Sequence, residues 1–133
     1  MGWVTNTKEI VDPGQWGIRV LNWKDEKGLS REPNTVHHGG NSGHQAVNLA
    51  AHLIGWAGTI ILIGFDMMPN GTKKHWFGDH PGDMNVGSNY TDYINAFNQI
   101  KPADYGIEIL NCTRSTALRC FPCHDLDEVL ESI

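Results

Sequence analysis

Apolar and polar residues follow two periods along this chain, and each period marks an element. From Gln45 to Ile54 the apolar positions Ala46, Leu49, Ala50 and Leu53 recur at helical spacing, which predicts an amphipathic helix. Gly55 and Gly58 follow and stop it. Thr59 to Ile63 is an unbroken β-branched and apolar run, the pattern of a strand covered on both faces. Val36-His37-His38 supplies a preceding strand, and Gly39-Gly40-Asn41-Ser42-Gly43 is the loop between strand and helix. The reading is a β-loop-α-β core over residues 36–66. Such units are right-handed with parallel strands.

The rest of the pattern is sparser. Residues 1–30 read as an irregular lead-in, within which Gly17–Trp23 alternates roughly as a strand does; Lys24–Asn34 is a polar surface loop. Residues 69–89 hold five glycine or proline breaks after Pro69 and no apolar period. A loop of about 20 residues is long for a compact domain and is typical of lids and binding loops. Tyr90, Tyr93, Ile94, Phe97 and Ile100 lie on one helical stripe, with Ser88 or Asn89 as cap and Pro102 just beyond. Gly106–Asn111 alternates as another parallel strand, and Cys112–Thr116 is a polar loop at its carboxyl end. Asp125 caps a last short helix through Leu126, Val129, Leu130 and Ile133. Together these predict one α/β domain, a three-layer Rossmann-like arrangement with a small, mainly parallel sheet.

Composition narrows the function classes. The chain has 133 residues, 40% apolar and 19% charged, enough to form one core. Ten basic residues against fifteen acidic ones give a formal charge of -5, which argues against a nucleic-acid polymer as partner. A small phosphorylated ligand stays open, because a helix N-terminus binds anions whatever the net charge. No apolar run reaches the roughly 18 residues of a membrane span, and the N-terminus lacks a signal-peptide pattern. A cytoplasmic protein is expected. Three cysteines, an odd number, do not suggest a disulfide scaffold.

Candidate chemistry gathers on one edge of the expected sheet. The loop glycines allow close backbone approach, and the helix that follows points free N–H groups and its positive dipole end over them. Asp66 emerges at the carboxyl end of the next strand, after Gly64, so that loop and Asp66 define the expected crevice. Gly40, Asn41, Ser42, Gly43 and His44 are the candidate contacts there, against the plainer reading of a tight turn. The loop matches neither the P-loop nor the Gly-x-Gly-x-x-Gly pattern. His75-Trp76-Phe77-Gly-Asp-His80 places two imidazoles and two aromatic rings in the long loop. His75 and His80 are candidate acid–base groups, Trp76 and Phe77 candidate stacking groups; an ordered aromatic loop is the alternative. Arg114, in the loop after the Ile107–Leu110 strand, is a candidate phosphate clamp or a surface arginine. Cys120-Phe-Pro-Cys123-His124 has the form of a haem-attachment motif, but attachment requires export, so no haem is expected. Half a zinc site is the other option, yet a second cysteine pair is missing, and no metal site is expected.

Four stretches carry a resemblance. They are Gly-Gly-Asn-Ser-Gly-His-Gln-Ala-Val-Asn-Leu-Ala, Ile-Ile-Leu-Ile-Gly-Phe-Asp-Met, His-Trp-Phe-Gly-Asp-His-Pro and Ile-Glu-Ile-Leu-Asn-Cys-Thr-Arg-Ser-Thr-Ala-Leu. Over residues about 30 to 130 the chain resembles a group of small phage and prophage proteins. More distantly it is similar to campylobacter-type bacterial sialyltransferases and to MptE-like pterin pyrophosphokinases. Those relatives have Rossmann-like folds and bind CMP-sugar or ATP. The resemblance implies that Asn41, Ser42 and Gly43 meet a nucleotide and that Gly64 and Asp66 line the same crevice. It also implies a catalytic base among His75 and His80. It covers the C-terminal two-thirds of the pattern only. Longer members begin with another strand and a Gly-Pro-Ser-type loop that supplies the other half of the site.

The expectation is therefore a phage-type protein that binds a phosphate-bearing, nucleotide-derived small molecule and sequesters it, as for a signalling nucleotide. The alternatives are a glycosyl-, sialyl- or nucleotidyl-transferase that completes its site across subunits, and a structural phage protein with a vestigial site. Open sheet edges predict a homo-oligomer, most simply a two-fold dimer.

Overall fold

The computed structural model describes residues 2–4, 17–69 and 89–132. Its elements are β1 (Gly2–Val4), β2 (Ile18–Val20), β3 (Asn22–Lys24), β4 (Thr35–His37), α1 (Ser42–Leu53), β5 (Gly58–Leu62), α2 (Tyr90–Asn98), α3 (Pro102–Tyr105), β6 (Ile107–Asn111) and α4 (Leu126–Glu131). The protein is mixed α/β. Among the described residues the strands form three parallel pairs, β1 with β2, β3 with β4 and β5 with β6. Three of the short strands lie within residues 1–30. No helix among the described residues is long and apolar enough to cross a membrane.

Parallel strands need a crossover, and between β5 and β6 the chain makes it through α2 and α3. Asn89 caps α2, its side chain accepting from the Asp92 N–H. Pro102 opens α3 and Gly106, at φ 72°, closes it. The register pairs Gly58 with Ile107 and Leu62 with Asn111. Both strands bury one parity: Ile60 and Leu62 on β5, Ile107 and Ile109 on β6. The other parity of β5 faces out, and Ile63 beyond it is 61% exposed. The apolar run of β5 was expected to be covered on both faces; it is covered on one.

α1 departs further from the apolar pattern. It buries His44, Val47, Asn48 and Ala51, while Ala46 is exposed and Leu53 is 66% exposed. The reason is the free side of β4. In a parallel pair alternate residues direct their N–H and C=O to the partner. The Asn22 N–H donates to the Asn34 C=O at 2.8 Å and the His38 N–H to the Lys24 C=O at 2.9 Å, so even-numbered residues serve β3. Thr35 and His37 point their backbone the other way. Three α1 side chains, one turn apart, meet them: Asn48 Oδ1 accepts from the His37 N–H (2.9 Å), His44 Nδ1 donates to the His37 C=O (3.3 Å), and His52 Nε2 donates to the Thr35 C=O (3.0 Å). Asn48 also clasps Ser30, accepting from its N–H and donating to its C=O. A polar stripe at i, i+4 and i+8 seals the strand edge, so the polar side of α1 turns inward. β4 and β5 flank α1 without sharing a ladder.

The core gathers on Phe97 of α2, which is fully buried and rings with His44, Phe65 and Phe121 at centroid distances of 5.4, 5.9 and 6.2 Å. Leu118, Ile109, Val47 and Ala51 pack with it. Tyr105 anchors the 28–31 segment: its hydroxyl accepts from the Leu29 N–H, and its carbonyl accepts from Arg31, whose guanidinium lies 4.7 Å over the Trp56 ring. No Asp, Glu, Lys or Arg occurs from Pro33 to Phe65, so β4, α1 and β5 form a unit without a formal charge.

Candidate functional site

The two loops that leave β5 and β6 are tied together before any ligand is considered. The Cys112 N–H donates to the Leu62 C=O at 2.9 Å, extending the ladder by one bond. The Phe65 N–H donates to Thr113 Oγ1 at 2.9 Å, Thr116 Oγ1 donates to the Phe65 C=O at 2.6 Å, and the Ala117 N–H donates to the Asp66 C=O at 2.7 Å. Asn111, fully buried at the end of β6, organises the second loop. Its Nδ2 donates to Thr116 Oγ1 and the Leu118 C=O, and its Oδ1 accepts from the Thr113 N–H. Its backbone donates to the Pro122 C=O and accepts from the His124 N–H, which brings the Cys120–His124 segment alongside β6.

These loops floor a cleft of about 850 Å3 at the carboxyl ends of β5 and β6. Gly64, Asp66 and Arg114 line it, together with Thr113, Ser115, Arg119, Cys123 and His124. Among the described residues, neither the Asp66 carboxylate nor the Arg114 guanidinium makes a hydrogen bond or ion pair. Arg119 Nη1 donates to Cys123 Sγ at 3.5 Å. Asp125 uses its carboxylate to cap α4, accepting from the Asp127 and Glu128 N–H groups. The cysteine motif is thus split: Cys123 faces the cleft, while burial pushes the Cys120 thiol up to about 11.

The glycine loop faces elsewhere. Gly39, Gly40 and His44 line a second cleft, of about 430 Å3, with Asp25, Glu26 and Asp92. Asn41 caps α1: its Oδ1 accepts from the His44 N–H at 2.9 Å and its Nδ2 donates to the Gly39 C=O at 3.0 Å. Ser42 is the first, exposed residue of the helix. The room left by two glycines is filled from within. A Cβ at Gly39 would sit 2.0 Å from the His44 ring, and one at Gly43 would sit 3.1 Å from the Phe65 ring. His44 is 1% exposed and its pKa is lowered to about 4, chiefly by burial, so its ring stays neutral with Nδ1–H on His37.

The structure therefore brings Gly64, Asp66 and Arg114 together, and groups Gly40 with His44 at a separate cleft. His75, Trp76, Phe77 and His80 lie outside the described residues. Sequence reasoning missed Asn111, Thr116 and Arg119. For Asn111 a signal existed: it is a polar residue on the inward parity of an alternating strand. No group of His, Cys, Asp and Glu suited to a metal occurs among the described residues. No family model, curated protein or solved structure matches the chain.

Proposed function

We propose that the chain binds a small phosphate-bearing, nucleotide-derived molecule in the 850 Å3 cleft, on a Rossmann-like three-layer frame. The frame is supported by the parallel β5–β6 pair, its helical crossover and a cleft outside the strands' carboxyl ends, where ligands of open α/β sheets sit. The volume suits a molecule of nucleotide size. The observation that carries the reading is the pair Asp66 and Arg114, both unengaged among the described residues, on loops that Thr113, Thr116 and Ala117 hold in place. Arg114 takes the phosphate through its planar fork, Arg119 adds a second positive charge, and Asp66 accepts from a sugar hydroxyl. Among the described cleft residues, no base is hydrogen-bonded to a hydroxyl or thiol nucleophile, which favours holding the ligand over turning it over.

The test is calorimetry with nucleoside mono- and diphosphates and with CMP-sugars, together with mass spectrometry of small molecules released on denaturation. Arg114→Ala and Asp66→Ala are each expected to weaken binding by about 1–3 kcal/mol, the usual loss for a charged hydrogen-bond partner, while Ser42→Ala leaves it unchanged. Affinity that ignores Arg114→Ala, or no heat with any nucleotide, sinks the proposal. Product released over many turnovers replaces binding by transfer chemistry.

A further inference from the structure

His44 is only 1% exposed, and its ring is engaged on one side alone. Nδ1 donates to the His37 C=O at 3.3 Å, while Nε2 makes no hydrogen bond among the described residues. No side-chain nitrogen or oxygen of those residues is both shut off from solvent and without a partner. The small open part of His44 therefore lies at Nε2, and it opens into the second cleft, of about 430 Å3, which His44 lines. With the proton on Nδ1, Nε2 presents a lone pair. A deep acceptor without a donor is costly, so this atom is set to take one from the cleft. The rest of the cleft selects the kind of donor. Asp25, Glu26 and Asp92 are exposed and stand at its rim, with Lys27 as the opposing charge. Asp25 makes no hydrogen bond or ion pair among the described residues, Glu26 lies 3.5 Å from His37 Nε2, and Asp92 accepts from Asn89 Nδ2. Gly39 and Gly40 add only backbone to the wall, and Ala96 adds a methyl group.

We propose that this cleft binds an aliphatic diamine or polyamine, one ammonium donating to His44 Nε2 and another held among the rim carboxylates. An ammonium carries N–H donors and no acceptor, which suits both a lone pair and a carboxylate. An anion is repelled by three carboxylates set against one lysine, on a chain of formal charge -5. A metal ion needs a group of ligands, and among the described residues His, Cys, Asp and Glu form none. Two amino groups joined by methylenes match a deep acceptor below an acidic rim, and the Gly39, Gly40 and Ala96 walls take the alkyl stem. The volume suits a small molecule of this kind.

Calorimetry of the full chain with putrescine tests it, with saturable binding expected, and weaker binding of butylamine, which lacks the second ammonium. In the same titration the nitrogen NMR signal of His44 Nε2 should move upfield as it accepts the hydrogen bond. His44→Asn keeps an N–H for the His37 C=O and removes Nε2; it should weaken binding by about ten- to a hundredfold, the loss of a hydrogen bond to a charged group. Asp25→Asn should weaken it by about two- to fivefold, as for an exposed ion pair. Glu131→Gln, the same change of charge on exposed α4, should leave it unchanged. If His44→Asn does not fold, Ala96→Leu decides, because it fills the cleft from a half-buried position on α2. No saturable binding up to millimolar putrescine, a His44 signal that ignores the amine, or an affinity indifferent to His44→Asn or to Ala96→Leu overturns the proposal; water alone then satisfies Nε2. Nucleotide titrations read the other cleft, so the two proposals can fail separately.

Discussion

Asn111 makes its hydrogen bonds in three directions at once, to the loop after β6, to Leu118 and to the segment at Pro122 and His124. Removing its amide leaves the buried Leu118 C=O and the half-buried Thr113 N–H without these partners, and a buried orphan costs about 1–3 kcal/mol. Asn111→Leu is expected to destabilise the protein by roughly 2–4 kcal/mol, although it adds apolar volume. Urea titration measures this, and a loss below about 1 kcal/mol would show that water replaces the amide. His44 gives a second residue-scale expectation. Its pKa falls from 6.5 to about 4 on folding, so the unfolded chain binds the proton more readily. The stability it contributes is complete above pH 6.5 and is lost as pH falls towards 4. The size is on the order of 3 kcal/mol. Denaturation midpoints measured from neutral pH to pH 4 should fall along this limb, and His44→Gln should flatten it.

Elements explain why the glycine loop behaves as it does. Gly39 lies at φ +57° with the His44 ring where a side chain would go, whereas Gly64 lies at φ +78° with nothing within 4 Å. Both positions disfavour a side chain through φ. Only Gly39 also resists it through contact, and the neighbour that would have to move is the first residue of the stripe sealing β4. Gly39→Ala should therefore cost clearly more than Gly64→Ala, for which backbone strain of about 1–2 kcal/mol is expected. Thermal unfolding of the two variants side by side measures the difference. Equal losses would mean that the His44 ring rotates away freely.

The molecule as a whole was legible where side-chain period and burial coincide. β6 alternates, α2 carries the apolar stripe as far as Phe97 and ends at Asn98, short of Ile100, and Asp125 stands before Leu126; each became the element its pattern indicates. The phase of α1 was not legible from apolar spacing. His44, Asn48 and His52 turn inward for the sake of a strand edge that exists only once β3 and β4 pair. The cleft was half legible: Gly64, Asp66 and Arg114 sit at strand ends, but the stitching by Thr116 joins residues 51 positions apart, which no local pattern records. The charge-free unit has a last consequence. Trypsin cuts after lysine and arginine, and none occurs between Arg31 and Lys73. β4, α1 and β5 therefore leave the digested protein in one uncut peptide. An amine-directed cross-linker finds no lysine there either, so mapping this face calls for cleavage at rings such as Trp56 or Phe65.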